Sequence, residues 1–202
     1  MNVLVTAGPT REYFDEVWFL SNPSSGRMGF EVARVFAEKG HTVTLISGPT
    51  GLTSPEGVEM RDAVLQHLAH KEVVVMAAAP VDYRPLRPQV GKMKKSGDKM
   101  VMELVRNPDI LKEIGQDKGG RIHVGFALET TNLRTEAVRK LSEKNLDFIV
   151  ANTPAAFAGD RTSVEILGRD GVVDVLVDVS KRELAHRLLE LVEETATTRG
   201  LY

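Results

Sequence analysis

The chain has 202 residues, a formal net charge of −2 and no cysteine. A chain of this length buries about 70 % of its unfolded surface, so we predict one domain over residues 1–202. The absence of cysteine excludes disulfide frameworks, cysteine nucleophiles and thiolate zinc sites. The near-zero charge argues against a nucleic-acid binder, and no apolar run approaches the roughly 18 residues of a membrane span. Without a basic stretch at its start the chain shows no signal peptide, so we expect a cytoplasmic protein.

Short apolar runs alternate with helical patterns along the chain. Strands are predicted over residues 3–5, 43–46, 72–77, 123–126 and 148–151. Helices are predicted over residues 29–38, 61–70 and 133–144. The first helix is expected to bury Phe30, Ala33 and Ala37 and to end at Gly40. Another helix is expected to begin with Asn107 as its cap and Pro108 in the first position, and to end at Gly115.

The last part of the chain has a different pattern. Alternating residues 163–167 and 172–179, joined by a turn, predict a β-hairpin. Ser180, with Glu183 three residues later, predicts a capping box for a final helix. The whole pattern indicates an α/β, Rossmann-like, mostly parallel sheet flanked by helices, with an additional antiparallel hairpin. Ligands bind such sheets at the carboxyl ends of the strands, so the loops there are the candidate site.

The loop over residues 20–29 carries three hydroxyls and two glycines and leads into a helix. Backbone N–H groups at a helix start favour an anion, which makes Ser24, Ser25 and Gly26 candidates for binding a phosphate. The alternative is an ordinary serine-rich helix cap. Asn22 in the same loop has an amide that both donates and accepts hydrogen bonds.

A dinucleotide site is opposed by two absences. The residues after the first strand do not read G-x-G-x-x-G, and the second strand ends in Ser47 and Gly48 without an acid. The alternation of strands and helices still keeps one alternative class open, an NADP-dependent reductase or a nucleotide-binding module.

The second candidate loop follows the strand at 72–77. Three alanines would let a ligand approach the backbone, and the alternative is small residues packed beneath a helix. From Asp82 to Lys99 six basic side chains stand against two acidic ones. Lys92, Lys94 and Lys95 suit a mobile loop that closes over phosphates. The alternative is a solvated charged face.

Two lysines one turn apart, Lys140 and Lys144, share one face of a predicted helix, either in a site or on a solvated face where Glu136 pairs with Lys140. The five histidines are scattered, and each is expected to be a surface or cap residue. Because no nucleophile and base stand together, we expect an enzyme that works by positioning and charge stabilisation, such as nucleotidyl activation of a carboxylate.

Seven motifs occur in order along the chain: TAGPTRE at 6–12, SNPSSGRMGF at 21–30, AAAPVDYRP at 77–85, KMKK at 92–95, RNPDI at 106–110, GFALET at 125–130 and KNLD at 144–147. From residue 2 to about residue 192 the chain resembles phosphopantothenate–cysteine ligase, also called phosphopantothenoylcysteine synthetase, of coenzyme A biosynthesis.

The resemblance implies that 4′-phosphopantothenate reacts with CTP to an acyl-cytidylate, which L-cysteine converts to the amide, with Mg²⁺ required and ATP as the open alternative to CTP. Asn22 and Lys92 would be catalytic, and Lys94 and Lys95 would contact phosphate. The implied nucleotide-binding residues are Ala78, Ala79, Asp82, Arg106, Asn107, Pro108, Asp109, Phe126, Lys140 and Lys144. A homodimer is implied, the metal ligands stay unknown, and the next step is expected from a separate phosphopantothenoylcysteine decarboxylase chain. No nucleic-acid or membrane partner is expected.

Overall fold

The structure is a computed structural model that describes residues 1–49, 57–95, 97–153 and 159–201. The strands are β1 (Asn2–Ala7), β2 (Arg11–Tyr13), β3 (Phe19–Ser21), β4 (Thr42–Ser47), β5 (Val73–Met76), β6 (Tyr83–Pro85), β7 (Leu104–Arg106), β8 (Ile122–Leu128), β9 (Phe148–Asn152), β10 (Arg161–Gly168) and β11 (Gly171–Ser180). The helices are α1 (Arg27–Glu38), α2 (Gly57–His67), α3 (Ile110–Gln116), α4 (Leu133–Glu143) and α5 (Lys181–Arg199).

A seven-stranded sheet in the order β11-β10-β9-β8-β5-β1-β4 forms the centre of the fold. The five strands from β9 to β4 are parallel, and β10 and β11 continue the sheet antiparallel. This confirms the predicted α/β class and the hairpin. The chain leaves β1 for β4 on one side and reaches β5 on the other, so β1 and β5 flank a topological switch point, where open α/β sheets bind their ligands.

Both faces of the parallel strands are covered, which explains their continuous valine runs. α1 and α5 pack on one face, where Val32, Phe36 and Leu188 meet the sheet. α2, α3 and α4 pack on the other face, with Met60 and Leu141 in its core. Within the part of the chain that the structure describes, no helix has the length and apolar character needed to cross a membrane.

The predicted buried face of α1 is confirmed at Ala33 and wrong at Phe30 and Ala37. Phe30 is only half-buried and Ala37 is exposed, whereas Val32, Val35 and Phe36 are buried with Ala33. The helix packs against α5 as well as against the sheet. The stop at Gly40 is confirmed, because the helix ends at Glu38 and Gly40 has a φ of 93°.

The predicted boundaries of α3 are also wrong. Asp109, not Asn107, is the cap, and its carboxylate accepts the Lys112 N–H at 3.0 Å. The Asn107 amide instead donates to the Val81 carbonyl at 2.7 Å, beside the β6–β7 hairpin. Gly115 lies inside the helix, where a Cβ would stand 2.3 Å from the Lys144 carbonyl oxygen.

The final helix begins as predicted. The Ser180 hydroxyl accepts the Glu183 N–H at 3.1 Å, and the Glu183 carboxylate accepts the Ser180 N–H at 2.6 Å. The predicted capping box is therefore confirmed.

A buried ion cluster lies at the amino-terminal edge of the sheet, just before β9. Asp147, with a side chain 3 % exposed, accepts from Lys118 and Arg199, both at 2.6 Å, and from the backbone N–H of His123 at 2.7 Å. Burial alone would raise the pKa of Asp147, but the hydrogen bonds from Arg199 and Lys118 outweigh it and the pKa lies below its usual range.

His123 in β8 is 0 % exposed, so the expectation of a surface or cap histidine is wrong here. Within the described ranges neither ring nitrogen has a hydrogen-bond partner. Burial and then the Lys118 charge lower the pKa of His123 to about 4. The side chain is therefore a neutral part of the core.

We predict that this histidine makes the fold acid-sensitive. Between pH 6.5 and about pH 4 the unfolded chain protonates the imidazole while the folded protein does not. The contribution of neutral His123 to the free energy of unfolding should be fully present above pH 6.5. The free energy of unfolding should fall by roughly 3 kcal/mol as the pH drops through this window. Urea unfolding of His123→Leu should show a smaller loss between pH 8 and pH 5 than the wild type. The exposed His67→Leu serves as control, and equal losses in all three proteins would contradict the assignment.

Candidate functional site

A cavity of about 350 Å³ opens at the carboxyl edge of the sheet, around the switch point between β1 and β5. Its size lies within the range of about 300–1,000 Å³ that is typical of ligand pockets. The wall comes from the loop before α1, the loop after β5, the ends of β8 and β9, and the starts of β10 and α5. The lining residues are Asn22, Ser24, Ser25, Gly26, Arg27, Met28, Ala77, Ala78, Ala79, Pro80, Asp82, Phe126, Ala127, Leu128, Asn152, Thr162, Lys181 and Leu184.

The start of α1 forms one side of the cavity. Gly26 caps the helix in a left-handed conformation with a φ of 75° and has no side chain to accept a hydrogen bond. The Ser24 and Ser25 hydroxyls accept the N–H groups of Gly26 at 3.3 Å and Arg27 at 3.5 Å. The first turn carries no acidic residue. The structure thus brings Ser24, Ser25 and Gly26 to a helix start whose electrostatics favour an anion.

The Asn22 side chain connects its own loop to the loop after β5. Its amide nitrogen donates to the carbonyls of Ala79 at 3.1 Å and Pro80 at 3.0 Å. Both amide protons are therefore used within the protein, and the side-chain oxygen is the group left for a ligand. The sequence predicts an amide that both donates hydrogen bonds to a ligand and accepts them. In the structure only the side-chain oxygen is left, so Asn22 can accept a hydrogen bond from a ligand.

The loops after β1 and β5 hold each other in place. The Ala79 N–H donates to the Gly8 carbonyl at 2.9 Å, and the Val81 N–H donates to the Thr10 hydroxyl at 3.0 Å. These contacts extend the parallel pairing beyond the sheet, which is why Ala78 and Ala79 stand at the cavity.

The other predicted nucleotide residues divide into two groups. Asp82 and Phe126 lie in the cavity wall, Asp82 exposed and Phe126 half-buried on β8. Arg106 at the end of β7 and the turn that follows lie outside the cavity wall. Asn107 is buried there, and Arg106, Pro108 and Asp109 are exposed. The backbone links the groups, because the Asn107 N–H donates to the Asp82 carbonyl at 2.8 Å.

Lys92, Lys94 and Lys95 are exposed and outside the cavity wall. Buried Asp15, which the sequence analysis missed, anchors this segment. Its carboxylate accepts the N–H groups of Val17 and Trp18, each at 2.6 Å, and of Met93 at 2.8 Å. The backbone hydrogen bonds from Trp18 and Met93 lower the pKa of Asp15. The local Asx turn is readable from sequence, but the Met93 contact is not.

Lys140 and Lys144 are ion-paired outside the cavity wall. Lys140 contacts Glu129 at 2.5 Å and Lys144 contacts Asp109 at 2.9 Å. Glu136 pairs with Arg139 at 2.8 Å, so the expected Glu136–Lys140 surface pair is wrong.

Asn152, Thr162 and Lys181 line the cavity although no motif pointed to them. They come from β9, β10 and the first position of α5, which only the folded sheet brings to this edge. Among the described residues no cluster of three or more acidic or histidine side chains is placed to hold a metal ion. Asp82 is the one carboxylate in the described wall.

Comparison with known proteins places the chain in a family. The family described as DNA/pantothenate metabolism flavoprotein C-terminal domain matches residues 1–196. The chain belongs to this family. One relative of this chain is the coenzyme A biosynthesis bifunctional protein CoaBC of Haemophilus influenzae. The two sequences are 40 % identical over 212 residues. The alignment covers 98 % of this chain and 53 % of the relative, so the chain spans about half the length of that protein.

Solved structures show the same fold as this member of the flavoprotein C-terminal domain family. The crystal structure of the C-terminal domain of CoaBC has a TM-score of 0.82 at 37 % identity, covering 98 % of this chain and 96 % of that one. A Cab2 mutant in complex with phosphopantothenate-cysteine has a TM-score of 0.73 at 14 % identity, covering 98 % and 88 %. At that identity the second likeness concerns the fold alone.

We predict that Asp15 fixes the lysine segment. In Asp15→Ala the Met93 N–H loses its acceptor, so the chain around Lys92, Lys94 and Lys95 should be cut by trypsin several-fold faster than in the wild type. The exposed Asp98→Ala, in the same region, is the matched control. Mass spectrometry of the early fragments locates the cut, and unchanged cleavage in Asp15→Ala would show that the segment does not depend on this carboxylate.

Proposed function

We propose that this protein is a ligase of coenzyme A biosynthesis that joins 4′-phosphopantothenate to L-cysteine through an acyl-cytidylate. The observation that carries the proposal is the cavity at the β1–β5 switch point, where a helix start without an acidic first turn and the fixed Asn22 meet. The family match and the 37 % identity to the CoaBC C-terminal domain over nearly all of that domain support it.

In the first step a carboxylate oxygen of 4′-phosphopantothenate attacks the α-phosphorus of CTP, and pyrophosphate leaves with the electron pair of the broken P–O bond. Negative charge is concentrated at the phosphates. The start of α1 and the ammonium of Lys92 are the groups that offset it. Lys92 reaches the nucleotide only if its segment moves inward, since it is exposed outside the wall. Lys94 and Lys95 would follow the same movement.

Mg²⁺ is proposed to enter with the triphosphate, where it would neutralise phosphate charge. Mg²⁺ is commonly held by one or two carboxylates together with substrate phosphates. The single wall carboxylate, Asp82, fits that arrangement.

In the second step the amine of cysteine attacks the acyl carbon, the C–O bond to the nucleotide breaks, and CMP leaves while the nitrogen gives up its proton. The free oxygen of Asn22 is oriented by the Ala79 and Pro80 carbonyls. It can accept an amine N–H and so align the nitrogen with the acyl carbon.

Phe126 and the loop of Ala78 and Ala79 are proposed to hold the nucleotide, the ring against the base and the alanines beneath it. Asn107 supports Asp82 through the backbone. A shift of the outer turn and α4 toward the cavity is required before the remaining implied residues can contact the nucleotide. These residues are Arg106, Pro108, Asp109, Lys140 and Lys144. CTP is the proposed co-substrate, and ATP is tested beside it.

The reaction is tested by incubating the protein with 4′-phosphopantothenate, Mg²⁺ and each of the four nucleoside triphosphates. Pyrophosphate should appear with CTP before cysteine is added, and CMP only afterwards. No pyrophosphate with any nucleotide would overturn the proposal. Saturable NADPH binding in a protein that does not bind CTP would favour the reductase instead.

Two variants separate the steps. Lys92→Gln should lower pyrophosphate release by about 100-fold, because charge at the phosphates is no longer offset. Asn22→Asp should release pyrophosphate but accumulate the acyl-nucleotide, because its carboxylate cannot donate to the Ala79 and Pro80 carbonyls. Lys112→Gln, at an exposed position of α3, is the control. Equal loss of both steps in both variants would show that the roles are wrongly assigned.

We also propose a homodimer. Apolar side chains are exposed around the two small hairpins, including Trp18, Phe19, Tyr83, Leu86 and Leu104. A second copy would cover them. Sedimentation equilibrium should show a dimer that Leu104→Glu weakens, and a monomer at all concentrations would contradict it. The separate decarboxylase and the cytoplasmic location stay predictions.

A further inference from the structure

One corner of the cavity has no role in the two proposed ligase steps. It lies where β10 and α5 begin, next to the start of α1. The Lys181 N–H donates to the Asp160 carbonyl at 3.2 Å, and Arg27 forms an ion pair with the Asp160 carboxylate. Thr162, Lys181 and Arg27 therefore reach the same part of the wall.

Thr162 has a polar group that the protein leaves unused. The residue is 7 % exposed and lines the cavity, and its hydroxyl has no hydrogen-bond partner in the ranges that the structure describes. Buried hydroxyls are normally hydrogen-bonded, and one without a partner is costly. A ligand with an acceptor oxygen would remove that cost.

Lys181 is a buried cation in the same corner. It is 9 % exposed, and its ammonium donates to the Gly159 carbonyl at 2.7 Å. An ammonium has three protons, so this contact leaves donors for a ligand. Burial and then the nearby Arg27 charge lower the pKa of Lys181. An anion beside it would offset both effects.

We propose that Lys181 and Thr162 complete a phosphate-binding subsite together with the start of α1. This rests on the proposed function, in which both CTP and 4′-phosphopantothenate carry phosphate. The chemistry of the corner fits a phosphate from either substrate, since each has oxygens that accept from the ammonium, the hydroxyl and the helix N–H groups.

The test uses Lys181→Met and Thr162→Val, which keep side-chain volume while removing the charge and the hydroxyl. Lys181→Met should raise the KM of one phosphorylated substrate roughly 10- to 100-fold, and Thr162→Val should raise the same KM by about 3- to 10-fold. A higher KM for CTP alone assigns the corner to the triphosphate. A higher KM for 4′-phosphopantothenate alone assigns it to that substrate's phosphate.

Lys39→Met, at the exposed far end of α1, is the matched control, and Lys181→Arg should restore part of the affinity. If Lys181→Met and Thr162→Val have the same KM values as Lys39→Met, the subsite proposal is overturned. Should Lys181→Met fail to fold, Thr162→Val alone decides.

Calorimetry with inorganic pyrophosphate and inorganic phosphate separates this inference from the ligase proposal. If the wild type releases no pyrophosphate in the assay, the proposed function fails while the subsite can still be judged. Binding of either anion that weakens at least tenfold in Lys181→Met supports the subsite. Equal binding in both proteins, or no binding by the wild type, overturns it.

Discussion

The close packing of α1 on the end of β1 is the constraint on which the site depends. A Cβ at Gly29 would stand 2.5 Å from the Ala7 Cβ and 2.7 Å from the Thr6 carbonyl oxygen. Gly48, after β4, lies even closer to Pro9, whose carbonyl oxygen would be 1.8 Å from an added Cβ. Only hydrogen fits at either position. The helix can therefore begin beside the strand end, and its first residues line the cavity.

The sequence was sufficient for the large sheet because its five parallel strands read as short apolar runs, and β10 and β11 read as alternating ones. It failed for β2, β3, β6 and β7, which have three residues each and too little length for any periodicity. It also failed where distant parts of the chain decide. The buried face of α1 depends on α5, and Asn107 leaves the helix cap because the Val81 carbonyl needs its amide.

The same distinction holds for the site. Asn22, Ser24, Ser25, Gly26 and the alanines could be found from sequence because each belongs to a loop that follows or precedes a recognisable element. Thr162 and Lys181 could not, because only the folded sheet brings β10 and the start of α5 to this edge. The contact of Asp15 with the Met93 N–H could not either, because it joins distant parts of the chain. Charge patterning located the lysines of the 92–95 segment but not their distance from the cavity. Lys140 and Lys144 share a helix face as expected, yet each is held by an acid from another element.

The ion cluster around Asp147 ties the last turn of α5 to the sheet. The family model matches residues 1–196, and Arg199 in the last turn of α5 supplies one of the two close cationic partners of this buried carboxylate. A protein shortened to the similarity boundary would keep every residue of the cavity and still leave Asp147 with a partner missing. Removing one partner of a buried ion pair is strongly destabilising. A protein that ends at residue 196 should therefore be less stable than one that includes Arg199.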